Sequence, residues 1–315
     1  MDSSLTLLTS VQADLTFIVP GADKPWNYQY EPPQGVERHH GNYVATKVSI
    51  ADGRPLRGAF SLDVQGFELL HSPTLADDLY DEDELKRVYY PETANLVKSV
   101  TGAEDVLVFD HTIRSNAAQR RGAAGIREAV RRVHNDYTDK SAPQRIRDLL
   151  PPAEAERRLK KRYAFINVWR PIAGPLEEAP LALADARSIK PTDLIASDLI
   201  YRDRTGETYA VAHNRDQRWF WFPRMERDEV VLIKCYDSAP GHAKISAHTA
   251  ACNRVRRGYG SRLCAAPRLG RDDNLWRVRS PPAPRARSSG SAARADSISR
   301  ARHPRRDRRR RGWRP

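Results

Sequence analysis

Apolar residues fall mostly in short runs bounded by turn residues, the texture of strands, and less often at helical spacing. Val44-Ala-Thr-Lys-Val-Ser-Ile50, then Ala51-Asp-Gly-Arg54, then Gly58-Ala-Phe-Ser-Leu-Asp-Val64 predicts strand, Asp-Gly turn, strand. Residues 73–100 predict a helix: Asp81, Glu82 and Asp83 form an acidic start ahead of Leu85, Val88, Tyr89, Leu96 and Val97. The run from Glu104 to Ile113 predicts a buried strand. Residues 140–162 read as a polar helical insert interrupted at Pro151-Pro152. Strand patterns then follow closely, at Tyr163–Trp169, Leu194–Ala196, Tyr209–His213, Arg218–Phe222 and Glu229–Tyr236. Short strands at this spacing predict a mainly β barrel or sandwich with flanking helices. Residues 1–40 read as an N-terminal lead-in, broken by Pro20, Pro25, Pro32 and Pro33.

The texture changes at Ala251. All ten lysines lie at or before Lys244, and residues 251–315 hold 20 Arg and 4 Asp with no Lys or Glu. That segment carries more than the whole chain's net charge of +13, so the first 250 residues are slightly acidic. The segment reads either as a disordered basic tail, binding nucleic acid non-specifically, or as a GC-rich gene translated out of frame or through an intron. The absence of Lys and Glu favours the second account. Residues 41–250 show no basic aromatic stripe, zinc-knuckle spacing or recognition helix. Cys235, Cys252 and Cys264 are too few and too unevenly spaced for a disulfide framework. The N-terminus lacks the basic flank of a secretion signal, and no apolar run reaches membrane-spanning length. A cytoplasmic location with no membrane partner is expected.

The sharpest chemical signal is Val133-His-Asn-Asp-Tyr-Thr138. In a strand, His134 and Asp136 share one face and Asn135 takes the other. An imidazole and a carboxylate so placed supply two corners of a two-His-one-carboxylate site, which leaves positions on Fe(II) open for a co-substrate and dioxygen. The ordinary alternative is a hydrogen-bonded His–Asp pair. The third ligand must come from far along the chain, and both His213 and His248 qualify. His248 follows the strongest late strand and is favoured by position. No glycine-rich loop follows an early strand, which disfavours a methyltransferase.

The motifs in order are Phe109-Asp-His-Thr-Ile-Arg114, Val133–Thr138, Phe165-Ile-Asn-Val-Trp-Arg-Pro171, Pro180–Ser188, Trp219–Met225, Ile233–Ser238 and His248-Thr-Ala250. Together they resemble the hydroxylase/desaturase family that includes AsaB-like proteins and relatives of the cephamycin methoxylase small chain. The resemblance covers roughly residues 40–250. It implies a double-stranded β-helix (jelly-roll or cupin-like) core and Fe(II) held by His134, Asp136 and His248. It further implies 2-oxoglutarate as co-substrate and hydroxylation or desaturation of a small secondary metabolite. The family's last strand, which bears an arginine for 2-oxoglutarate, has no counterpart after Ala250. Losing such an arginine leaves a buried carboxylate unpaired, at about 3 kcal/mol, roughly a hundredfold in affinity. A catalytically impaired relative is therefore the alternative.

Arg170 is the next candidate for 2-oxoglutarate or an acidic substrate if Val168 faces the barrel interior, since both share a face. The competing expectation is an ion pair with Asp185 or Asp198. Asn167, on the opposite face, is the second cofactor-binding candidate. Tyr137, Tyr201, Arg218 and Trp219 are candidate pocket residues, although core packing is the default for Trp219 and its aromatic neighbours. Lys234 and Asp237 read as a solvated pair.

Overall fold

A computed structural model describes residues 9–115 and 126–251. Cys252, Cys264, His303, the Arg-rich segment and any counterpart of a last family strand lie outside the described residues. The strands in chain order begin with β1 (Ser10–Val19), β2 (Trp26–Tyr28), β3 (His39–His40), β4 (Asn42–Asp52) and β5 (Phe67–His71). They continue with β6 (Ile113–Arg114), β7 (Ile126–Arg127), β8 (His134–Asn135), β9 (Ala164–Trp169) and β10 (Leu181–Ala184). The last five are β11 (Leu194–Ile200), β12 (Thr205–Val211), β13 (Trp219–Trp221), β14 (Glu229–Asp237) and β15 (His248–Ala250). A short α1 (Glu82–Glu84) runs through a π-helical turn (Leu85–Tyr89) into α2 (Tyr90–Thr101). The helices α3 (Ser141–Leu149) and α4 (Pro152–Leu159) precede β9.

Ten strands form one sheet in the order β1-β4-β13-β10-β15-β8-β12-β11-β2-β3, and β5-β14-β9 form a second. Bridges from Thr16 to Arg132 and from Ile18 to Ala212 bring β1 back beside the strands carrying the middle of the sheet, so the sheet curls on itself. The two sheets face each other across Phe67, Leu69, Leu183, Phe220, Val231 and Ile233, the core of a double-stranded β-helix. The other face of the large sheet buries Ala182, Ala184, Val211 and Trp219 against Leu15, Phe17 and Ile50 of β1 and β4. On the outer face of the small sheet, Val97 of α2 meets Leu232, Ile166 and Val168. Among the described residues no helix is long and apolar enough to cross a membrane.

Several expectations are corrected. Residues 10–19 are not a loose lead-in. They pair with β4 along the whole of β1, burying Ala13, Leu15 and Phe17 on one face, and the prolines fall in the connections after it. The Asp52-Gly53 pair does not make a hairpin. Asp52 Oδ1 instead accepts from the Arg54 amide, starting a 3-10 turn at Arg54–Leu56, and the next strand is Phe67–His71. Gly53 is needed for space, because a Cβ there would lie 2.7 Å from Phe222 Cε1. Residues 104–112 form no strand; their apolar side chains line a cavity instead. Lys234 and Asp237 are buried, with Lys234 Nζ donating to Asp237 at 2.7 Å and to Asp63 at 2.6 Å.

Phe17 is fully buried in the core that the curled large sheet encloses. Phe17→Ala is expected to destabilise the protein by about 3–5 kcal/mol, read from a denaturant melt. A change within experimental error would return residues 10–19 to the status of a lead-in.

Candidate metal centre

Two backbone facts create the site. β15 lies between β10 and β8, and the register places His248 directly opposite His134. Cross-strand partners project from the same face of a sheet with their Cβ atoms close together, and the two imidazole centroids are 4.6 Å apart. β8 ends at Asn135, yet Asp136 still turns toward the same side. Its Oδ1 lies 3.4 Å from His134 Nε2 and its Oδ2 3.7 Å from His248 Nε2. One potential ligand atom from each of the three lies within 4.8 Å of the others.

The orientation of each group is fixed from behind. His134 Nδ1 meets the Arg132 carbonyl at 2.9 Å, and His248 Nδ1 meets that of Ser246 at 3.0 Å. A carbonyl only accepts, so each Nδ1 carries the proton and each Nε2 presents its lone pair inward. The Asn167 amide donates to Asp136 Oδ2 at 2.6 Å, and the Cys235 thiol lies 3.4 Å from the same oxygen. Cys235 occupies a bulge where the β14–β9 register shifts, and its carbonyl accepts from Asn135 Nδ2 at 2.8 Å. Asn135 thus ties the two sheets together beside the ligands.

These contacts leave His134 Nε2 and Asp136 Oδ1 buried with no hydrogen-bond partner. Facing acceptors without a proton between them are costly in a low-dielectric interior. A divalent cation removes that cost, and two imidazoles with one carboxylate suit Fe(II) while leaving positions open. Burial works to raise the Asp136 carboxyl. His134, His248 and Asn167 outweigh it and hold the group well below the usual carboxylate range. Burial, aided by the neighbouring His134, brings the His248 imidazole down to about 4, so its lone pair is available at neutral pH. Burial raises the Cys235 thiol, which stays protonated.

The triad opens onto a cavity of ≈ 1920 Å³ with Tyr137, Tyr201, Phe109, Phe165 and Asn167 in its wall. Tyr137 stacks on Phe165 with centroids 4.1 Å apart. His213 is exposed, edge-on to Phe17, and takes no part in the triad. Two pocket expectations are corrected. Trp219 packs in the core behind the large sheet, on the face opposite the triad. Arg218 donates to Asp185 at 3.0 Å and does not line the cavity.

The expectation for Arg170 is also corrected. Val168 faces α2 rather than the barrel interior, and Arg170 shares that outer face. Its guanidinium donates to the carbonyls of Arg227 and Ser72 at 2.5 Å and lies 5.4 Å from the Tyr89 ring centre. Neither Asp185, bound to Arg187 and Arg218, nor Asp198, bound to Lys24, pairs with it. Arg114 is a site residue that the sequence pattern alone does not single out. It is half-buried in the cavity wall, its positive charge acts on Asp136 and His248, and its Nη1 donates to the Glu128 carbonyl at 2.6 Å. Its place at the end of the Phe109–Arg114 motif was the available signal.

Fold and site together define a mononuclear metal centre of the two-His-one-carboxylate type inside a double-stranded β-helix. A family model described as an oxidoreductase/YMDC permease-like domain matches residues 15–262. The hydroxylase/desaturase efuI of Hormonema carpetanum is 33% identical over 263 residues, covering 73% of this chain and 88% of that protein. The Fe(II)/2-oxoglutarate-dependent dioxygenase nvfI of Aspergillus novofumigatus is 30% identical over 251 residues, covering 77% and 89%. A solved structure of the iron and alpha-ketoglutarate-dependent endoperoxidase NvfI superposes with a TM-score of 0.72 at 28% identity, covering 78% of this chain and 91% of that one. The chain belongs to this family of oxidoreductases, the Fe(II)/2-oxoglutarate-dependent hydroxylases and desaturases.

The depressed His248 imidazole has a measurable consequence in the metal-free protein. The unfolded chain takes up this proton near pH 6.5, the folded chain near pH 4, so stability present above pH 6.5 is lost as pH falls between them. The expected loss is up to about 3 kcal/mol, separate from the later loss as Asp136 protonates below the usual carboxylate range. Denaturant melts across this window should show the slope in the wild type and a flatter one in His248→Phe. Equal slopes would refute the assignment.

Proposed function

We propose that this protein hydroxylates or desaturates a small secondary metabolite, with Fe(II) held by His134, Asp136 and His248 and 2-oxoglutarate as co-substrate, in the cytoplasm. The observation carrying this reading is the pair of buried, partnerless acceptors, His134 Nε2 and Asp136 Oδ1, aimed at the same point as His248. It is supported by the iron and 2-oxoglutarate dependence printed in the names of relatives and a structural neighbour. Bound Fe(II), with 2-oxoglutarate and dioxygen, supplies the oxidising power that removes hydrogen from an unactivated C–H bond.

The chain's own residues position and insulate. The carbonyls of Arg132 and Ser246 hold the two imidazoles in the ligating tautomer, and Asn167 and Cys235 hold the carboxylate. Asn167 is therefore a positioning residue, its amide committed to Asp136. Arg114 would receive a carboxylate of 2-oxoglutarate, a reading supported by its position in the cavity wall and its charge acting on the triad, since a guanidinium binds a carboxylate through two parallel hydrogen bonds. It takes the role expected of Arg170. Burial raises the phenols of Tyr137 and Tyr201, which stay neutral and offer hydrogen bonds rather than charge. The aromatic rings of Phe109, Phe165 and Tyr137 keep the space beside the triad apolar.

Anaerobic Fe(II) titration is expected to give one site per chain, lost in His134→Ala and Asp136→Ala and kept in His213→Ala. With oxygen admitted, the iron-loaded protein should convert 2-oxoglutarate to succinate. Tight iron binding by His134→Ala, or no succinate from a folded, iron-loaded sample, would defeat the proposal. Arg114→Met is expected to raise the KM for 2-oxoglutarate by about tenfold or more, as loss of a charge-assisted hydrogen bond of about 1.5–3 kcal/mol requires. An unchanged KM would remove Arg114 from that role.

A further inference from the structure

The cavity holds a buried guanidinium that the metal chemistry does not use. Arg145, on α3, is 9% exposed, and its Nη2 is buried with no hydrogen-bond partner. Among the described residues it forms no ion pair; its guanidinium lies 5.1 Å from the centre of the Phe109 ring. Ring contact alone does not replace the hydration that a buried cation gives up. Its charge acts on Tyr137, Tyr201 and Asp110, which line the same cavity as Asp136. Asp110 is the acid in this group, and burial pushes its carboxyl up to about 7, so at neutral pH it supplies only a fraction of a counter-charge.

Two cations thus serve different parts of one chamber. The Arg114 charge acts on the triad itself, whereas that of Arg145 acts on Tyr137, Tyr201 and Asp110. Pockets for drug-sized ligands run to about 300–1,000 Å³, and ≈ 1920 Å³ leaves room for a second organic molecule beside a small dicarboxylate. A run of ring contacts leads from Arg145 through Phe109 to Phe165 at 5.9 Å and on to Tyr137 at 4.1 Å, the residue next in the chain to Asp136. That surface suits a hydrocarbon skeleton.

We infer that the substrate is a carboxylic acid on an apolar skeleton, anchored by its carboxylate at Arg145 so that the skeleton crosses the Phe109–Phe165–Tyr137 wall toward the metal. The inference rests on the oxygenase reading above and deepens it. A bidentate carboxylate compensates the buried guanidinium as neither an alcohol nor an amide does. It also fixes which carbon faces the metal, because an anchored acid of given length presents one stretch of skeleton.

Fluorescence titration of the Fe(II)- and 2-oxoglutarate-loaded protein with 2-naphthoate and its neutral isostere 2-naphthamide tests this without the natural substrate. The wild type is expected to bind the acid about 10- to 100-fold more tightly, the range set by a charge-assisted hydrogen bond. R145M should erase that preference, R145K should restore part of it, and neither should move the KM for 2-oxoglutarate in uncoupled succinate formation. Equal affinity of the wild type for acid and amide overturns the inference. So does an R145M effect confined to 2-oxoglutarate, which would make Arg145 the co-substrate's anchor. Should R145M not fold, the wild type decides: naphthoate raises its melting temperature and naphthamide does not, and equal shifts overturn the inference. A wild type that makes no succinate yet prefers naphthoate refutes the oxygenase reading while leaving the anion site standing.

Discussion

The cross-strand register of β15 on β8 is the constraint on which the site depends. Pairing His248 with His134 puts two imidazoles on one face of the large sheet, and a one-residue slip would turn His248 to the opposite face. The register is held on both sides, because β15 also pairs with β10, where His248 stands opposite Leu183. Leu183 is fully buried against the small sheet, so a slip would also disturb the packing of the neighbouring strands. Apolar burial thus sets a polar geometry: the sheet keeps its register for hydrophobic reasons, and the ligand atoms converge as a result.

What could be read in the sequence follows from how local each feature is. His-x-Asp lies within three residues, and β9, β11, β12, β13 and β14 carry continuous apolar or alternating runs, so these were visible. β15 is three residues long, and its pairing with residue 134 is a product of topology, so His248 rested on position and on family likeness. In β1 the alternation of Val11, Ala13, Leu15 and Phe17 is that of a half-buried strand, but it is short and borders a proline-rich stretch that signals irregular chain. The facing of Arg170 turned on whether Val168 pointed to the barrel interior or to α2. Both environments are apolar, and composition does not distinguish them. Arg145 lay in a helix that reads as a polar surface insert, and only the packing of α3 beside Phe109 reveals that its charge is buried.

The distribution of buried charge separates scaffold from site. Lys234 is almost fully enclosed but meets Asp237 and Asp63, while Arg54 meets Glu229 in two parallel hydrogen bonds. Such pairs are satisfied within the chain and need nothing further. At the triad the acceptors converge without a donor, and at Arg145 a donor stands without an acceptor. Among the described residues, these two groups lack the compensation that Lys234 and Arg54 find within the chain.

The order of strands in the large sheet bears on how such a protein is made. β15, built from residues near 250, slots between β10 and β8, whose residues emerge from the ribosome some 65 and 115 positions earlier. The middle of the sheet therefore stays open until β15 has been made, and contacts of such long sequence separation close slowly. His248 can reach His134 and Asp136 only after that short strand has been inserted, so the three-residue cluster forms after β8 and β10 are already made.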